Sequence, residues 1–562
     1  MAALLWAVIG RVTGPSDTWD QRQPRTVSYT TDMLVNGGRH WILPVEAGRQ
    51  PATKPPLYNW LAAPVVALAG FSSEVAHKFP SLAAICVCWL AMVRLGRWLD
   101  PAGGGSLGWV AGMMFVANYA VFKLGYLARP DMLLVMWLLG GWMSATAVLT
   151  GSIAQVASTR SRQSEATSGQ PPRMNSRRRT KASVGPEGRT ERSRKSAGGR
   201  YGAVETALMC GGRRRLLLVI FWVCVAGAAL TKGPPALILP AYALLAARGL
   251  RGSWRAAGVF GWGWGVPLSL GLFGAWVMGV YLIDPDHLLN TLWREEVLGR
   301  VTGLGHEGNE RGPVEFYRRI LHIPFYFLTR FGPWSILSVA AIAYLWRRDP
   351  RPAESPGKGP RRWQRLDPTL GQWLHGAALM VVLTLAFFTP STGKRADYVA
   401  PAVAPGALLA AWWLLKGPLR LGRVGPPVAA AITGLTLAGL MVDNRLLEPK
   451  PGLGDALSGF IHDAEIHIRK DPRPIALMNA GSSHMASYLG SAGRGSIQEA
   501  HELILSGRPL WLISGGQQPP ARIVGWLRER GPDANVVRMC RSRRIPENPG
   551  WPSHVALYRV DP

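Results

Sequence analysis

Long, almost charge-free runs dominate the hydrophobic pattern of this chain, as in 215–231 and 257–280. They lack the alternation of half-buried strands. A bilayer-spanning helix needs about 20 apolar residues, and a helix satisfies its own backbone hydrogen bonds in lipid. The pattern therefore predicts an all-α polytopic membrane protein. We expect about eleven transmembrane helices, at 2–12, 80–97, 106–122, 132–150, 215–231, 234–248, 257–280, 323–345, 371–388, 397–415 and 425–442.

The polar segments divide the chain into two parts. Residues 1–442 form the predicted membrane domain, which includes a long first outer loop at 13–79. Within that loop, 57–71 is apolar but short, so we expect it to remain on the outer side. Segment 151–214 is rich in Ser, Arg and Gly, which predicts a disordered loop. In 443–562, short apolar runs alternate with helix-like stretches, which predicts a small α/β domain.

The charge distribution orients the chain. With 63 Lys and Arg against 34 Asp and Glu, the net charge is +29, which at first suggests nucleic acid. The basic residues, however, concentrate in 151–214 and in short loops between apolar runs. If the N-terminus is cytoplasmic, all of these loops lie inside, as the positive-inside rule requires. We therefore predict a multi-pass protein of the inner (plasma) membrane that contacts anionic lipid rather than nucleic acid, with 443–562 outside.

Ionisable and aromatic residues gather at the outer boundary of the predicted spans. Ionisable residues at such depths are costly unless they line a wet cavity, so they are functional candidates. Lys and Arg can hold a phosphate, a carboxylate can act as a general base, and aromatic rings can stack on a sugar. The candidates are Asp17, Asp20, Arg25, Lys54, Tyr58, Arg129, Asp131, Lys232, Arg294, Lys394, Arg395 and Tyr398.

Several motifs recur along the chain in an order typical of one family. The first outer loop contains WDQRQPRTVSYTTDML, WILPVEAGRQPATKPPLYNWLAAP and HKFPSLAA. Later motifs are LARPDMLL, LTKGPPALILP, LWREEVLGRV, FGPWSI and TGKRADYVAPAVAP. Together they resemble the GT-C glycosyltransferases, in particular the dolichyl-phosphate-mannose protein mannosyltransferase-like superfamily. Its bacterial branch includes the transferase that moves aminoarabinose from undecaprenyl phosphate to lipid A. The resemblance runs from about residue 17 to residue 415.

The resemblance implies roles for the outer residues. Lys54 would meet the lipid phosphate of the donor, and Asp131 matches the acidic residue of the second outer loop. The further basic residues around the phosphate would be Lys232, Arg294, Lys394 and Arg395. One departure stands out, because family members usually carry Asp-Glu just before the Pro-Arg of the first loop. Here Arg22 and Gln23 occupy those positions. Either Asp20, Asp17 or Asp131 is then the catalytic carboxylate, or the protein uses a different acceptor that needs no strong base.

The predicted reaction is transfer of a sugar from a polyprenyl-phosphate donor to a lipid, glycan or protein acceptor at the outer face, with inversion as the family implies. No His/Asp cluster demands a metal, although a divalent cation stays open as a cofactor. Two other classes also stay open. One is a transporter or flippase, for which internal repeats would be expected but are not seen. The other is a non-catalytic relative, which would account for Arg22 and Gln23.

Overall fold

Long helices form most of the protein. A computed structural model describes residues 1–19, 22–101, 103–167, 191–298, 313–347, 368–391, 394–419, 421–447, 452–492, 496–516, 519–530, 535–546 and 550–562, without the side chains of 152–211, 296–319, 447 and 530. Within this part of the chain, seven helical segments are long and apolar enough to cross a membrane: Glu74–Leu99, Asp131–Gly151, Gly212–Lys232, Trp262–Ile283, Pro368–Phe388, Ala396–Leu415 and Gly425–Leu446. A bent pair makes eight if it counts as one span.

The helices of the membrane part follow one another closely along the chain. They are α1 (Ala2–Val12), α2 (Gln23–Asn36), α3 (Leu57–Ala69), α4 (Glu74–Leu99), α5 (Ser106–Val116), α6 (Tyr119–Leu124), α7 (Asp131–Thr167), α8 (Glu191–Lys232), α9 (Ile238–Arg251), α10 (Trp262–Ile283), α11 (Pro313–Arg330), α12 (Trp334–Trp346), α13 (Pro368–Phe388), α14 (Ala400–Leu415) and α15 (Gly425–Val442). Single-turn and π-helical segments lie at Gly38–Trp41, Pro234–Leu237, Trp254–Phe260, His287–Leu298, Ala396–Val399 and Asp443–Leu447.

The predicted count of eleven spans is not confirmed, since several of the predicted spans are short or broken helices in the described part of the chain. The predicted span 106–122 is two helices, α5 and α6, since the Asn118 side chain accepts a hydrogen bond from the Val121 amide and starts a new helix. The predicted span 323–345 bends by 120° between α11 and α12, at a break that contains Pro333. Helices α1 and α9 contain 11 and 14 residues.

The structure describes the backbone conformation of part of 151–214. Helix α7 continues to Thr167 and α8 begins at Glu191, so the described backbone of this segment is helical. Residues 168–190, which hold the Gly-Gln-Pro-Pro stretch, lie outside the described residues. The described backbone on either side of 168–190 is helical, and for the segment as a whole disorder stays a prediction.

The first outer loop is compact. Helix α2 begins with Pro24 in its first turn and is followed by a small antiparallel hairpin, β1 (Val45–Glu46) and β2 (Gln50–Pro51). The apolar segment near 57–71 forms α3, which is 13 residues long and so too short to cross a bilayer alone. Helix α3 contacts α2 and α4.

The C-terminal segment contains a mixed sheet with helices beside it. The helices are α16 (Leu453–Lys470), α17 (Ile497–Leu505) and α18 (Ala521–Arg530), with a single-turn helix at Met485–Leu489. The strands are β3 (Ile475–Met478), β4 (Leu510–Gly515), β5 (Asn535–Arg541) and β6 (Val555–Asp561). Their order is β3-β4-β6-β5, and only the β3–β4 pair among them is parallel.

This segment packs on the first outer loop. Trp19 lies against Tyr488 with 4.4 Å between ring centroids, and the Thr31 hydroxyl donates to the Ser487 carbonyl oxygen at 2.8 Å. Val27 belongs to the same buried apolar cluster as Phe460 of α16. The loop and the C-terminal segment therefore share one core at the end of the bundle where α4, α7 and α14 begin.

Candidate functional site

Charged side chains from three helices meet at that end of the bundle. Asp131 is the first residue of α7, Lys232 is the last residue of α8, and Asp397 lies in the turn before α14. Because α7 and α8 pack side by side as antiparallel neighbours, the start of one lies beside the end of the other. Lys232 Nζ lies 2.5 Å from Asp131 Oδ1, and Arg129 Nη2 lies 2.8 Å from Asp131 Oδ2 and 2.7 Å from Asp397 Oδ2.

Two further cations, Lys54 and Arg395, lie beside these residues. We call the whole group the cation cluster: Lys54, Arg129, Lys232 and Arg395 around Asp131 and Asp397. Lys54 interacts electrostatically with Asp131, and Arg395 Nη2 lies 3.5 Å from Asp397 Oδ2. Burial acts to lower the pKa of Arg129, but Asp131 and Asp397 outweigh it and raise that pKa above its ordinary value. The cluster holds four cations and two carboxylates, so a bound anion would balance its charge.

Aromatic rings pack against one side of the cation cluster. Tyr398 stacks on Phe388 with 4.7 Å between ring centroids, and Lys232 Nζ lies 5.1 Å from the centre of the Tyr398 ring. A cation at this distance from a ring is attracted by its π electrons. Tyr398 therefore helps to fix the ammonium of Lys232 beside Asp131.

The cluster opens into a pocket of about 420 Å³, which we call the basic pocket. Its charged lining residues are Arg22, Lys123, Arg129, Arg330, Arg395 and Asp397. Tyr119 also lines it, with the Arg330 guanidinium carbon 4.2 Å and Lys123 Nζ 5.7 Å from its ring centre. Among the described lining residues, Asp397 is the one carboxylate against five cations. Such a pocket is suited to a phosphate or another strongly anionic group.

Tyr58 is buried rather than exposed to a substrate. It is 2% exposed, and its hydroxyl lies 3.0 Å from the carbonyl oxygens of both Leu127 and His77. Ser81 Oγ also donates to the Leu127 carbonyl oxygen, at 2.6 Å. Tyr58 and Ser81 thus hold the loop that leads into Arg129 and Asp131, which is a positioning role.

Arg25 lies in a separate chain of contacts. Its Nε lies 2.5 Å from Glu46 Oε2 and donates to the Tyr29 hydroxyl at 2.8 Å. Glu46 Oε1 in turn lies 2.9 Å from His484 Nε2 of the C-terminal segment. Burial raises the pKa of Tyr29 to about 12. Arg25 therefore connects the start of α2 to the hairpin, and the hairpin to the C-terminal segment.

Three further residues predicted for the site are Arg294, Lys394 and Asp20. Arg294 is exposed in the π-helical segment His287–Leu298, and no described contact joins it to the cation cluster. The ammonium of Lys394 is buried just before Arg395. Asp20 lies outside the described residues.

Asp17 lies in a second charged group, which we call the buried ion network: Arg11, Asp17, Glu74 and Lys78. Lys78 is fully buried and pairs with both Asp17 and Glu74, and Arg11 pairs with Asp17. Burial acts to raise the pKa of Asp17, but Lys78 and Arg11 outweigh it, so its pKa lies well below the ordinary value. A carboxylate held by two cations away from the pocket is a poor candidate for a general base.

The two unusual residues of the first loop have different surroundings. Gln23 is fully buried, where its Nε2 donates to the Asp17 carbonyl oxygen at 2.7 Å and its Oε1 accepts from the Ala128 amide at 2.8 Å. It therefore fastens the first outer loop to the second. Arg22 precedes α2 with a left-handed backbone, φ 64°, and lines the basic pocket.

Motif reasoning missed Lys78, Lys123 and Arg330 as candidates. All three lie inside helices, among apolar residues. The available signal was the rarity of a cation in an apolar helix near the outer boundary. Lys78 and Lys123 each have one contact four residues away, with Glu74 and Tyr119. The Lys78–Asp17 and Arg330–Tyr119 contacts join residues far apart in the sequence, so these pairings could not be predicted.

We predict that Lys78→Met destabilises the protein by about 3 kcal/mol, because it removes one of the two cations of the buried Asp17 carboxylate and leaves the half-buried Glu74 without this partner. Thermal unfolding of the purified protein in detergent measures the change. The double variant Asp17→Asn/Lys78→Met restores charge balance and is expected to recover part of the loss. If Asp17→Asn alone abolishes activity without a loss of thermal stability, Asp17 acts in catalysis and this assignment is wrong.

Two known bacterial transferases are similar to this chain in sequence. Over 410 residues, 72% of this chain, the sequence is 23% identical to the undecaprenyl phosphate-alpha-4-amino-4-deoxy-L-arabinose arabinosyl transferase of Shewanella sediminis. A second transferase of that name, from Pseudomonas fluorescens, is 26% identical over 180 residues. These matches span 57% and 27% of the relatives' own lengths, so the chain matches about half of them or less. No protein-family model matches the chain.

The structural comparison covers almost the whole chain. The crystal structure of ArnT from Cupriavidus metallidurans in the apo state superposes with a TM-score of 0.58 at 15% identity, over 99% of this chain and 96% of ArnT. The structure of the same protein bound to undecaprenyl phosphate gives 0.56 at 16% identity, over the same shares of the two chains. These comparisons confirm the resemblance predicted from the motifs. The chain therefore has the fold of ArnT.

Proposed function

We propose that this chain is a membrane glycosyltransferase, which moves a sugar from a polyprenyl-phosphate donor to a lipid, glycan or protein acceptor. The observation that carries the proposal is the cation cluster with its basic pocket. Their cations are arranged beside two carboxylates at one end of the bundle. The ArnT structure bound to undecaprenyl phosphate supports a lipid phosphate as the anion.

The donor phosphate binds the cations of the cluster. In the reaction, an acceptor oxygen or nitrogen forms a bond to the anomeric carbon while the bond from that carbon to the phosphate oxygen breaks. The electron pair leaves with the polyprenyl phosphate, which gains one negative charge. Lys232 and Arg129, already fixed by Asp131, stabilise that charge without reorganising, which is the largest single contribution in many enzymes.

The acceptor's proton, where it has one, must pass to a base. Asp131 is 4% exposed and lies between two cations, so its geometry favours fixing Lys232 and Arg129 over accepting a proton. Asp397 lines the basic pocket with 23% of its side chain exposed and is the better-placed carboxylate among the described residues. Asp20, two positions before Arg22, remains the other candidate from the sequence.

The site end of the bundle is proposed to face outward from the inner membrane. Arg251 and Lys416 lie at the ends of their helices opposite to the site, where the positive-inside rule favours basic residues on the cytoplasmic side. The C-terminal segment, which packs on the first outer loop, would then also be extracytoplasmic. We predict that alkaline phosphatase fused after residue 562 is active in cells and that a cytoplasmic reporter fused there is not. The reverse pattern would contradict the orientation.

A comparison of lipids and glycans between cells with and without the gene tests the proposed function and identifies the acceptor. We expect one glycoconjugate to lose a sugar residue in the deletion strain and to regain it with the wild-type gene. Complementation with Lys232→Met is expected to fail. An unchanged set of lipids and glycans, together with accumulation of a solute or lipid on one side of the membrane, would instead indicate a transporter.

A further inference from the structure

A second cavity lies between the first outer loop and the C-terminal sheet. Its volume is about 910 Å³, and it shares no described lining residue with the basic pocket. It is lined by the ends of β3 and β4, the starts of α17 and α18, and Arg49 from the β1–β2 turn. We call it the sheet-edge cavity.

The location follows from the topology of the sheet. Strands β3 and β4 are parallel neighbours, with Met478 opposite Ser514, so their carboxyl ends meet at one edge. Helices α17 and α18 begin beside the same edge, at Ile497 and Ala521. In α/β proteins, ligands bind in the crevice outside the carboxyl ends of parallel strands.

The charge of the lining is of one sign. Arg49 and Arg522 are its charged side chains, and no Asp or Glu occurs among the described lining residues. Both arginines are exposed, and neither forms an ion pair with another described residue. Arg49 comes from the first outer loop and Arg522 from α18, so two separate parts of the chain bring a guanidinium to one cavity.

Hydrogen-bonding groups surround the rest of the cavity. Ser482, Ser483 and Asn479 are among the lining residues and carry two hydroxyls and a side-chain amide, whereas Ser514 is 1% exposed and its hydroxyl donates to the Gly515 carbonyl oxygen. The first turn of α18, which contains no acidic residue, adds backbone N–H groups, which favour negative charge. In the first turn of α17, the Ser496 hydroxyl already accepts from the Glu499 amide. The lining therefore combines two guanidinium groups with neutral hydrogen-bond donors and acceptors.

We propose that the sheet-edge cavity binds a phosphorylated sugar. Arg49 and Arg522 pair with the phosphate, and the Ser482 and Ser483 hydroxyls and Asn479 bond the sugar hydroxyls. The cavity volume lies at the upper end of the usual range for small-molecule sites, about 300–1,000 Å³, so it accommodates a ligand of this size. The proposal is independent of the glycosyl-transfer function, because the two pockets have separate linings.

Calorimetric titration of the full-length protein in nanodiscs tests the proposal, with glucose 1-phosphate, glucose and inorganic phosphate as separate probes. We expect saturable binding of glucose 1-phosphate, at least about tenfold weaker binding of inorganic phosphate and no binding of glucose. Arg522→Gln and Arg49→Gln are each expected to weaken glucose 1-phosphate binding by about tenfold or more, the loss of one charge-assisted pair.

The matched control is Arg528→Gln, since Arg528 is an exposed arginine on the same helix that does not line the cavity. We expect it to bind glucose 1-phosphate like the wild type. The proposal is overturned if no probe binds saturably, if Arg528→Gln weakens binding as much as Arg522→Gln, or if inorganic phosphate binds as tightly as the sugar phosphate. Binding that survives in Arg49→Gln/Arg522→Gln but is lost in Lys232→Met would place the ligand at the cation cluster and also overturn the proposal.

Discussion

Replacing Lys232 with methionine is expected to lower kcat/KM for sugar transfer by about 10²–10³-fold, the usual cost of removing one preorganised donor from a developing oxyanion. Lys232 Nζ is held by Asp131 at 2.5 Å and lies against the Tyr398 ring, so its position is set before any substrate binds. Methionine has a similar length but no charge. Turnover of a polyprenyl-phosphate sugar by the purified protein in proteoliposomes measures the effect.

Lys416→Met is the matched control for this prediction. Lys416 Nζ lies 2.6 Å from Asp100 Oδ1, at the ends of α14 and α4 that are far from the cation cluster. The control breaks a similar lysine–aspartate pair but leaves the site intact. We expect it to retain transfer within about threefold of the wild type. Equal losses in both variants would mean that Lys232 acts through stability alone.

Arg22→Asp is expected to lower kcat/KM by about 10- to 100-fold, because it places a negative charge in a pocket that receives an anion, and juxtaposed like charges cost several kcal/mol. Arg22 lines the basic pocket together with Arg129, Arg330 and Arg395. The left-handed backbone at this position tolerates Asp and Asn better than most residues. The same proteoliposome assay measures the change.

Arg22→Asn separates the loss of the guanidinium from the gain of a negative charge. We expect it to fall between the wild type and Arg22→Asp. The opposite order, in which Arg22→Asp transfers sugar faster than Arg22→Asn or the wild type, would show that the site requires a carboxylate at this position. Arg22 would then mark an impaired enzyme rather than an anion-binding one.

Part of this arrangement could be predicted from the sequence, because successive spans cross the membrane in opposite directions. Once the spans alternate, Asp131 at the start of one, Lys232 at the end of another and Asp397 before a third must lie at the same end of the bundle. The structure brings these three residues together with Arg129. Local hydrophobicity and loop charge contain enough information for that step.

Other contacts depend on pairings that hydrophobicity does not encode. Asp17 is a catalytic candidate from the sequence because it precedes a recognisable motif. In the structure it is buried against Arg11 and against Lys78, and Lys78 lies 61 residues from Asp17 along the chain. The break between α11 and α12 was hidden because Phe331, Gly332 and Pro333 sit within an apolar run of the length of a span. In both cases tertiary packing decided the outcome.

Direct binding of radiolabelled undecaprenyl phosphate to the purified protein tests the central claim, that the cation cluster holds a polyprenyl phosphate. The account predicts saturable binding to the wild type and to Lys416→Met, with binding to Lys232→Met weakened about tenfold or more. Equal affinity of the wild type and Lys232→Met, or no saturable binding to the folded wild-type protein, would contradict it.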